Sequence, residues 1–520
     1  MSSSAPKSRW TLAAWALEPD ASTVAPSSKW TNKDMDPVPE HLRTWTTWNY
    51  VAYWISDATN TASWELASSM IAIGLSWRQA LPAIALGHII IGTVMVLNGT
   101  IGARLHIAFP VLTRSSFGFW FSYFSVISRV VLSMFAIQSY TGSECVYQML
   151  KAIWPSTARI PNHLPASAGI TSAGMMCYFL FWLIQFPFLL VSPQRIRHLF
   201  VAKAIIVPAT WLAILIWAMH EAPPSISLNP KHAALTGSAA SWAWLSSLNS
   251  ALGIYATLAV NIPDFTRYAK NERAQYVQII IIPVAFTLAG FCGMAVASAS
   301  EVLYGSVIWD PLQLINLWDS RAASFFAAFT LGTNISANSL SAANDMTVLF
   351  PRYINIRRGQ IICAIIGGWA LAPWEILSSA PGFLTFMSGY TVFLGPFAAL
   401  MAVDYWIVHR CNVDVPAMYD RHGRYQYWNG INWRAAVALL FSVTPSLPGL
   451  AASINPSIDV GNASKLFDIA WLYGFFTAGV LYWALSTLFP ATETYLEEPV
   501  LEKDPERDDE SSDKKSVVAA

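Results

Sequence analysis

The chain has 520 residues, of which 54% are hydrophobic and only 12% are charged. Lysine plus arginine and aspartate plus glutamate number 31 each, so the net charge is zero and no nucleic-acid partner is indicated. A mean hydropathy of +0.42 excludes an ordinary soluble domain and predicts a protein that crosses a membrane many times. The five cysteines form no CxxC pair, and no metal-ligand cluster, nucleophile triad or phosphate loop is present, so neither an enzyme nor a cofactor is predicted.

Apolar segments fill the chain between two polar tails. Residues 1–44 are rich in serine and proline and predict a disordered tail, while residues 490–520 form a charged one. A helix that spans the bilayer needs about 20 apolar residues. Twelve segments approach or exceed this length, at 47–72, 79–100, 118–149, 170–192, 200–220, 241–262, 277–299, 322–348, 360–379, 383–408, 434–453 and 467–489. The predicted fold class is all-α integral membrane with twelve transmembrane helices.

Basic residues concentrate in alternate connections between these segments. The basic-rich connections contain Arg104, Arg114, Arg195, Arg197, Lys203, Arg267, Lys270, Arg273, Arg352, Arg357, Arg358, Arg410, Arg421 and Arg424. The other connections hold Arg78, Arg159, Lys231 and Lys465. Because lysine and arginine are retained on the cytosolic side, the first set is predicted to be cytosolic, and both tails with it.

Two of the segments are interrupted by small and polar residues. The first segment contains SDATNT at 56–61, and the sixth contains NSALGIYAT at 249–257. Such interruptions persist in a membrane only where they line protein or water, and paired ones mark a midplane binding site. Their matching positions predict inverted five-helix repeats at 45–220 and 221–408, followed by two helices at 409–489. The alternative is a major facilitator with two parallel halves, which predicts a long central loop, whereas the connection at 266–276 is short.

Polar side chains recur inside the third and eighth segments. Gln138 lies in an apolar run and presents an amide, which suits the cis-amide edge of a heterocycle or, alternatively, an interhelical hydrogen bond. In the eighth segment Asn334 and Asn338 are four residues apart and share a helix face with Ser341 and Asp345. This stripe indicates either the lining of a pathway or a packing seam of small residues.

Three charged residues also lie within predicted spans. Arg129 either extends to the cytosolic surface or pairs with a carboxylate such as Asp345. Asp57 and Glu65 in the first segment are candidates to carry a proton, or else are hydrogen-bonded buried carboxylates.

Four stretches resemble the nucleobase–cation symporter family 1, and most closely its fungal uracil and allantoin permease branch. They are WNYVAYWISDATN at 48–60, NIPDFTRYA at 261–269, TNISANSLSAANDMTVLFPRYINIRRG at 333–359 and FLGPFAALMAVDYWIV at 393–408. The resemblance covers about residues 31–499 and implies a LeuT-type fold, in which helices 1, 3, 6 and 8 enclose the substrate and the ion.

The resemblance also implies roles for individual residues. The substrate-binding amides fall on Asn338 and Gln138, the stacking aromatic on Tyr255 beside Ile254, and the polar residue after the first break on Asn60. Cation-related positions fall on Ser56, Thr59, Thr333 and Gly332.

The chain departs from the family pattern at two of these places. The relatives carry Trp-Phe shortly before the glutamine of helix 3, whereas here Met134-Phe135 leads directly into Ala136-Ile137-Gln138, as if two residues were missing. If the alignment is anchored on Gln138, Met134 stands at the Trp position, and if it is anchored on Arg129, the Trp is absent; either way a stacking wall is lost unless Phe135 substitutes. Loss of two residues also rotates one end of helix 3 by about 200° relative to the other. Gly332 stands where sodium-using relatives carry a hydroxyl, which favours protons over sodium as the coupled ion.

The sequence therefore predicts a proton-coupled importer of uracil-, allantoin- or uric-acid-like heterocycles in the plasma membrane. Met387 and Tyr390 on helix 10 are predicted outer-gate residues, and Asn334 and Asp345 pathway residues. Lys503, Lys514 and Lys515 are predicted sites for the ubiquitylation machinery. The alternatives are a carrier of the same fold for thiamine, nicotinamide riboside or another small solute, or a transport-impaired paralogue acting as a sensor.

Overall fold

The computed structural model describes residues 15–17, 24, 30–132, 136–189, 193–228, 235–332, 338–367, 369 and 373–502. Within these ranges the regular structure is helical, accompanied by isolated β-bridges such as Trp45 with Ala269. The helices of the first half are α1 (Thr47–Ala58), α2 (Thr61–Ala72), α3 (Trp77–Leu105), α4 (Phe109–Phe117), α5 (Ser122–Leu132), α6 (Ala136–Ile153), α7 (Ser172–Leu189), α8 (Pro193–Glu221) and α9 (Pro224–Ser227).

The second half continues the helical pattern, with π-helical turns at Cys363–Gly367 and Asp404–Val408. Its helices are α10 (Gly237–Gly253), α11 (Ala256–Asn261), α12 (Pro263–Thr266), α13 (Gln278–Tyr304), α14 (Pro311–Asn316), α15 (Arg321–Leu331), α16 (Asn338–Leu349), α17 (Ile356–Ile362), α18 (Pro373–Ile376), α19 (Ala380–Val403), α20 (Trp433–Val443), α21 (Leu447–Ile454), α22 (Ser464–Phe467) and α23 (Ala470–Leu488).

Helices account for all twelve predicted spans. Among the described residues, six helical segments are long and apolar enough to cross a bilayer by themselves, and a bent pair that ends with α23 makes up to seven. The other spans contain shorter helices, among them α1 with α2, α10 with α11, and α15 with α16. The predicted twelve-helix, all-α membrane class is confirmed, and the spans made of shorter helices include the two in which a break was predicted.

The first break lies between α1 and α2, inside the predicted interruption. Thr59 ends α1, and Asn60 adopts an extended conformation with φ −103° and ψ 158°. The Asn60 side chain then accepts a hydrogen bond from the Ser63 amide at 2.9 Å, which caps α2. Because asparagine is among the best N-cap residues, the sequence itself restarts the helix at this point.

The sixth span breaks between α10 and α11, again where predicted. Ile254 follows the end of α10, and Tyr255 has φ −118° and ψ 9° before α11 begins. A Cβ on Gly253 would collide with the carbonyl of Met387, so only glycine lets α10 approach α19 this closely.

The helices that carry the breaks pack into one group, and most of the other spans of the two repeats into another. The first packed group contains α1, α2, α3 and α10–α13, where α3 contacts α10, α11, α12 and α13. The second packed group contains α5, α6, α7 and α15–α17, where α6 contacts α7 and α15, and α16 contacts α5 and α17. Side chains that connect the two groups are therefore placed to control their separation.

The two ends of the described chain lie on one side of the molecule, here termed the terminal side. Asn32 donates a hydrogen bond to the carbonyl of Ile354 at 3.0 Å, and Tyr419 donates to the carbonyl of Met35 at 2.7 Å. The C-terminal segment reaches the same loops, since Asn412 donates to the carbonyl of Glu497 at 2.9 Å. The opposite side is termed the far side.

Candidate functional site

The two breaks meet in a hydrogen-bonded junction. The Asn60 amide donates to the Tyr255 hydroxyl at 3.1 Å and to the carbonyl of Asp57 at 2.6 Å. The Tyr255 hydroxyl donates in turn to the carbonyl of Asp57 at 3.2 Å. One side chain from each broken span therefore satisfies the Asp57 carbonyl that the first break leaves open, as a membrane interior requires.

Tyr255, the predicted stacking residue, has ring neighbours on several helices. Its ring is 4% exposed and lies 4.5 Å from the Phe286 ring and 6.0 Å from that of Trp54. The ring of His88 on α3 stacks on the Phe286 ring, with 4.5 Å between their centroids and 10° between their planes. The aromatic wall beside the junction is thus built from four helices, and sequence analysis named only Tyr255.

Ile254 and Met387 lie on the far-side flank of the junction. Met387 is 5% exposed and belongs to an apolar cluster with Ile71, Leu384 and Ala251, against which Ile254 packs. This cluster joins α2, α10 and α19, so the predicted outer-gate residue Met387 occupies a seam between a broken span and α19.

Several predicted substrate contacts are placed only by their backbone. Gln138 is the third residue of α6, Asn338 begins α16, and Tyr390 lies within α19, and their side chains are outside the described part of the structure. Met134, Phe135, Thr333 and Asn334 lie outside the described residues altogether. Their roles at the site stay predictions.

The predicted cation positions that the structure describes are Ser56 and Thr59 at the first break and Gly332 at the end of α15. Ser56 is 1% exposed, and the Thr59 hydroxyl donates to the carbonyl of Ile55 at 2.9 Å and reaches that of Ser56 at 3.5 Å. A Cβ added to Gly332 would lie 2.9 Å from the Cβ of Cys145. Glycine at this position therefore also has a packing reason, since α15 touches α6 there.

Sequence analysis placed Lys203 in a connection, and the structure corrects this assignment. Lys203 lies within α8, is 6% exposed, and interacts electrostatically with Asp57 at the end of α1. α8 packs directly against α1. The signal that could have revealed this pair is a lysine just inside an apolar segment, the same signal that identified Arg129.

A second polar centre lies toward the terminal side and is termed the terminal-side ion cluster: Arg129, Asp264 and Asp345. All three side chains are fully buried, and Arg129 forms ion pairs with Asp264 at 3.3 Å and with Asp345. Arg129 also donates to the carbonyl of Ser341 at 3.0 Å. Of the two alternatives given for Arg129, the structure shows the pairing with Asp345, and Asp264 was not anticipated.

The terminal-side ion cluster connects the two packed groups. Asp264 lies on α12 in the first group, whereas Arg129 on α5 and Asp345 on α16 belong to the second. If the two packed groups separated, Asp264 would lose its buried partner Arg129, and this is costly unless water replaces the arginine.

Two broken spans that meet at their breaks, inside a multi-spanning helical protein, are the arrangement found in membrane transporters. Residues 37–474 match the family described as permease for cytosine/purines, uracil, thiamine, allantoin. The chain therefore belongs to this family, the nucleobase–cation symporter family 1.

Curated relatives and a solved structure agree with the family. The allantoin permease of Saccharomyces cerevisiae is 36% identical over 89% of this chain and 76% of its own length. The uracil permease of the same organism is also 36% identical, over 88% of this chain and 76% of its own. The structure of Mhp1, a nucleobase–cation–symport-1 transporter in a closed conformation with bromovinylhydantoin bound, superimposes with a TM-score of 0.66. That match is 20% identical and covers 89% of this chain and 97% of Mhp1. The predicted LeuT-type fold is thereby confirmed, and the family to which the chain belongs is one of permeases.

Proposed function

We propose that this protein is a proton-coupled importer of a uracil-, allantoin- or uric-acid-like heterocycle in the plasma membrane. The terminal side is then cytosolic, as the distribution of lysine and arginine predicts. In this orientation the junction of Asn60 and Tyr255 lies between the two aqueous sides, and the substrate binds next to it.

The junction of the two breaks carries the proposal. A planar heterocycle needs an apolar surface for its faces and hydrogen-bonding groups for its edge. Asn60 and Tyr255 lie where the helical backbone is interrupted, next to the wall of Phe286 and Trp54. In the proposed site Gln138 and Asn338 bind the substrate edge, and Ile254, Phe135 and Met134 complete the apolar surface.

The gates proposed for alternating access lie on either side of this junction. On the terminal side the Arg129–Asp264 pair must separate before the first packed group can move away from the second. Asp345 keeps Arg129 paired during that movement, because both residues belong to the second group. On the far side Met387 and Tyr390 close the path against α2 and α10, with Asn334 lining the pathway.

The charges near the first break favour protons over sodium. Lys203 places an ammonium group within electrostatic reach of Asp57, beside the carbonyls of Ser56 and Thr59 that would have to bind sodium. A fixed positive charge there repels a second cation. Gly332 offers no hydroxyl ligand, and sodium prefers several oxygen ligands.

Uptake by yeast cells that lack their own nucleobase permeases tests the proposed function. Cells that express the protein are given labelled uracil, allantoin, uric acid or cytosine, with and without a protonophore. We expect uptake of at least one compound, abolished by the protonophore and insensitive to sodium. Sodium-dependent uptake that survives the protonophore would contradict the proposed coupling.

Substitutions test the proposed site in the same assay. Asn338→Ala and Gln138→Ala are expected to lower uptake at least tenfold while the protein still reaches the cell surface. Asn455→Ala, in an exposed loop of the far side, is the matched control and should transport normally. Normal uptake by both site variants would remove them from the site without removing transport.

The proposal also assigns the C-terminal tail a role in removal of the protein from the membrane. Both tails lie in the cytosol, where Lys503, Lys514 and Lys515 are accessible to the ubiquitylation machinery. Replacement of these three lysines by arginine is expected to slow removal of the protein from the plasma membrane, measured by surface labelling over time.

A further inference from the structure

Three carboxylates meet on the far-side half of the molecule, and they are termed the far-side acid cluster: Glu65 on α2, Glu144 on α6 and Asp310 just before α14. Glu65 is 3% exposed, and its Oε2 atom has no hydrogen-bond partner among the described residues. Glu144 and Asp310 are half-buried, so part of each residue is exposed. The cluster thus extends from the surface to a buried, unsatisfied carboxylate oxygen.

Backbone contacts fix how the three carboxylates converge. The Ser68 hydroxyl on α2 donates to the carbonyl of Trp309 at 2.5 Å, next to Asp310. On α6 the Gln148 amide donates to the carbonyl of Leu312 at 3.4 Å. Glu65 precedes Ser68 by three residues and Glu144 precedes Gln148 by four, so each shares a helix face with its neighbour. Both glutamates therefore lie about one turn, roughly 5 Å, farther from the far-side surface than the segment that carries Asp310.

The charges in this cluster are of one sign. The electrostatic interactions that act on Glu65 and Glu144 among the described residues are with Asp310, and Tyr140 is hydrogen-bonded to Glu144. The other titratable groups that interact with the cluster are Tyr147, Cys145 and Cys177, which are neutral at physiological pH. Burial also raises the pKa of Asp310, although its Oδ1 atom accepts a hydrogen bond from the Leu312 amide at 2.8 Å.

The members of the cluster belong to parts of the molecule that move relative to one another in alternating access. Glu65 belongs to the first packed group, Glu144 to the second, and Asp310 to the connection between α13 and α15 that links them. When the cluster is ionised, Asp310 repels both Glu65 and Glu144, which opposes closure on the far side. Protonated, they lose this repulsion and gain hydrogen-bond donors.

We propose that the far-side acid cluster takes up the coupled proton from outside and that its protonation permits the far side to close. This inference rests on the proposed proton-coupled import. A hydronium ion transfers its proton to Asp310 or Glu144 and leaves as water. The proton passes to Glu65, five residues beyond Asn60, and is released to water when the junction opens toward the terminal side. Asp57, with Lys203 nearby, takes no part in this path.

Infrared difference spectroscopy tests proton binding without any transport substrate. The purified full-length protein in lipid nanodiscs is taken from acidic to alkaline pH, and loss of the carboxylic-acid C=O band is recorded. We expect Glu65→Gln and Glu144→Gln each to remove part of this signal. Glu221→Gln, an exposed far-side glutamate, is the matched control and should leave the signal unchanged. An unaltered band in both site variants overturns the proposal, whichever compound the protein carries.

Proteoliposomes test the coupling. In Glu65→Gln we expect accumulation driven by a pH gradient to fall to simple equilibration, whereas exchange of labelled for unlabelled uracil at equal pH persists. Asp310→Asn, which keeps the hydrogen-bond acceptor that caps α14, should lower the rate of driven uptake. If Asp57→Asn shows the uncoupled behaviour and Glu65→Gln accumulates normally, the proton site is at the first break and the proposal is wrong. If the wild type transports none of the four heterocycles, the proposed function fails, and the infrared result still decides the proton site.

Discussion

The two charged centres of this protein offset the cost of burying carboxylates in opposite ways. In the terminal-side ion cluster, two buried carboxylates are neutralised by the guanidinium of Arg129. In the far-side acid cluster, the carboxylates interact with one another, and no guanidinium or ammonium is among the interactions found for the described residues. A buried charge without a partner is costly, so the second cluster is neutral only when it binds protons.

The difference separates a contact whose strength does not depend on pH from a titratable one. Arginine stays charged at every physiological pH, so the terminal-side contact has a strength that does not vary with proton concentration. In the proposed mechanism the far-side contact depends on the proton concentration outside. A symporter requires this asymmetry if it is to close from one side only after the coupled ion has bound.

Removal of the arginine should have the largest effect on stability. Arg129→Ala leaves Asp264 and Asp345 buried without a partner, at a cost of about 3–5 kcal/mol. We expect loss of surface expression and a markedly lower unfolding temperature of the purified protein. Arg159→Ala, at an exposed site, serves as the control. A wild-type unfolding temperature in Arg129→Ala would mean that the ion cluster does not hold the packed groups together.

The midplane junction should be less sensitive than the ion cluster but more specific for transport. Tyr255→Phe keeps the ring against Phe286 and removes the hydroxyl that binds Asn60 and the Asp57 carbonyl. Loss of one such buried partner costs about 1–3 kcal/mol. We expect a rise in the apparent KM for the transported heterocycle. Tyr276→Phe, on an exposed ring, should leave uptake unchanged; equal uptake by both variants would show that the hydroxyl bridge is dispensable.

Neutralisation of the far-side acid cluster should raise the stability of the protein, whereas the two preceding substitutions impair it. In the double variant Glu65→Gln/Glu144→Gln only Asp310 of the cluster can still ionise, so the repulsion is removed and the protein should unfold at a higher temperature than the wild type at alkaline pH. The gain should be about 1 kcal/mol, at the low end of what removal of buried charges provides. Thermal unfolding at acidic and alkaline pH measures it, with Glu221→Gln as control. A double variant less stable than the wild type at both pH values would mean that the two glutamates are structural.

The smallest effect is expected at a histidine on the terminal side. His409 is 4% exposed and lies 3.1 Å from Asp404, while its Nε2 atom contacts the Thr494 hydroxyl at 3.0 Å. Burial lowers the pKa of His409, but the Asp404 carboxylate outweighs burial and raises the pKa above the ordinary 6.5. The resulting stabilisation is fully present below the unfolded-state pKa and is lost as the pH rises through the folded-state pKa.

This titration should be visible in the unfolding temperature as the pH is raised from below the ordinary pKa of 6.5 to above it. Relative to the wild type, His409→Gln should lose at most about 1 kcal/mol at the acidic end and nothing at the alkaline end. His422→Gln, in an exposed loop, should follow the wild-type curve. A constant difference across the range would assign His409 a packing role only.

Much of the architecture was predictable because the bilayer constrains local sequence strongly. The apolar segments and the polar interruptions at 56–61 and 249–257 each follow from the requirement that every backbone polar group in lipid be satisfied. Asn60 even identifies where the second half of its helix begins, since its side chain caps that helix. The Arg129–Asp345 pair was predictable for the same reason, because an arginine in a span needs a partner.

Other features depended on contacts between distant parts of the chain. Lys203 was assigned to a connection from the charge pattern, but the packing of α8 on α1 brings it to Asp57. Asp264 could not be recognised as the second partner of Arg129, 135 residues away along the chain. Gly332 suggested a missing cation ligand, whereas the structure also shows its contact with Cys145.

By itself the sequence determined where the chain crosses the membrane, which crossings break and which polar residues need partners, because hydrophobic length and hydrogen-bond satisfaction are local properties. Tertiary structure alone decided which partners those residues obtain. The charges of Arg129, Lys203 and Glu65 acquire their different environments only when helices far apart in the chain pack together, and a Coulomb interaction depends on distance through space.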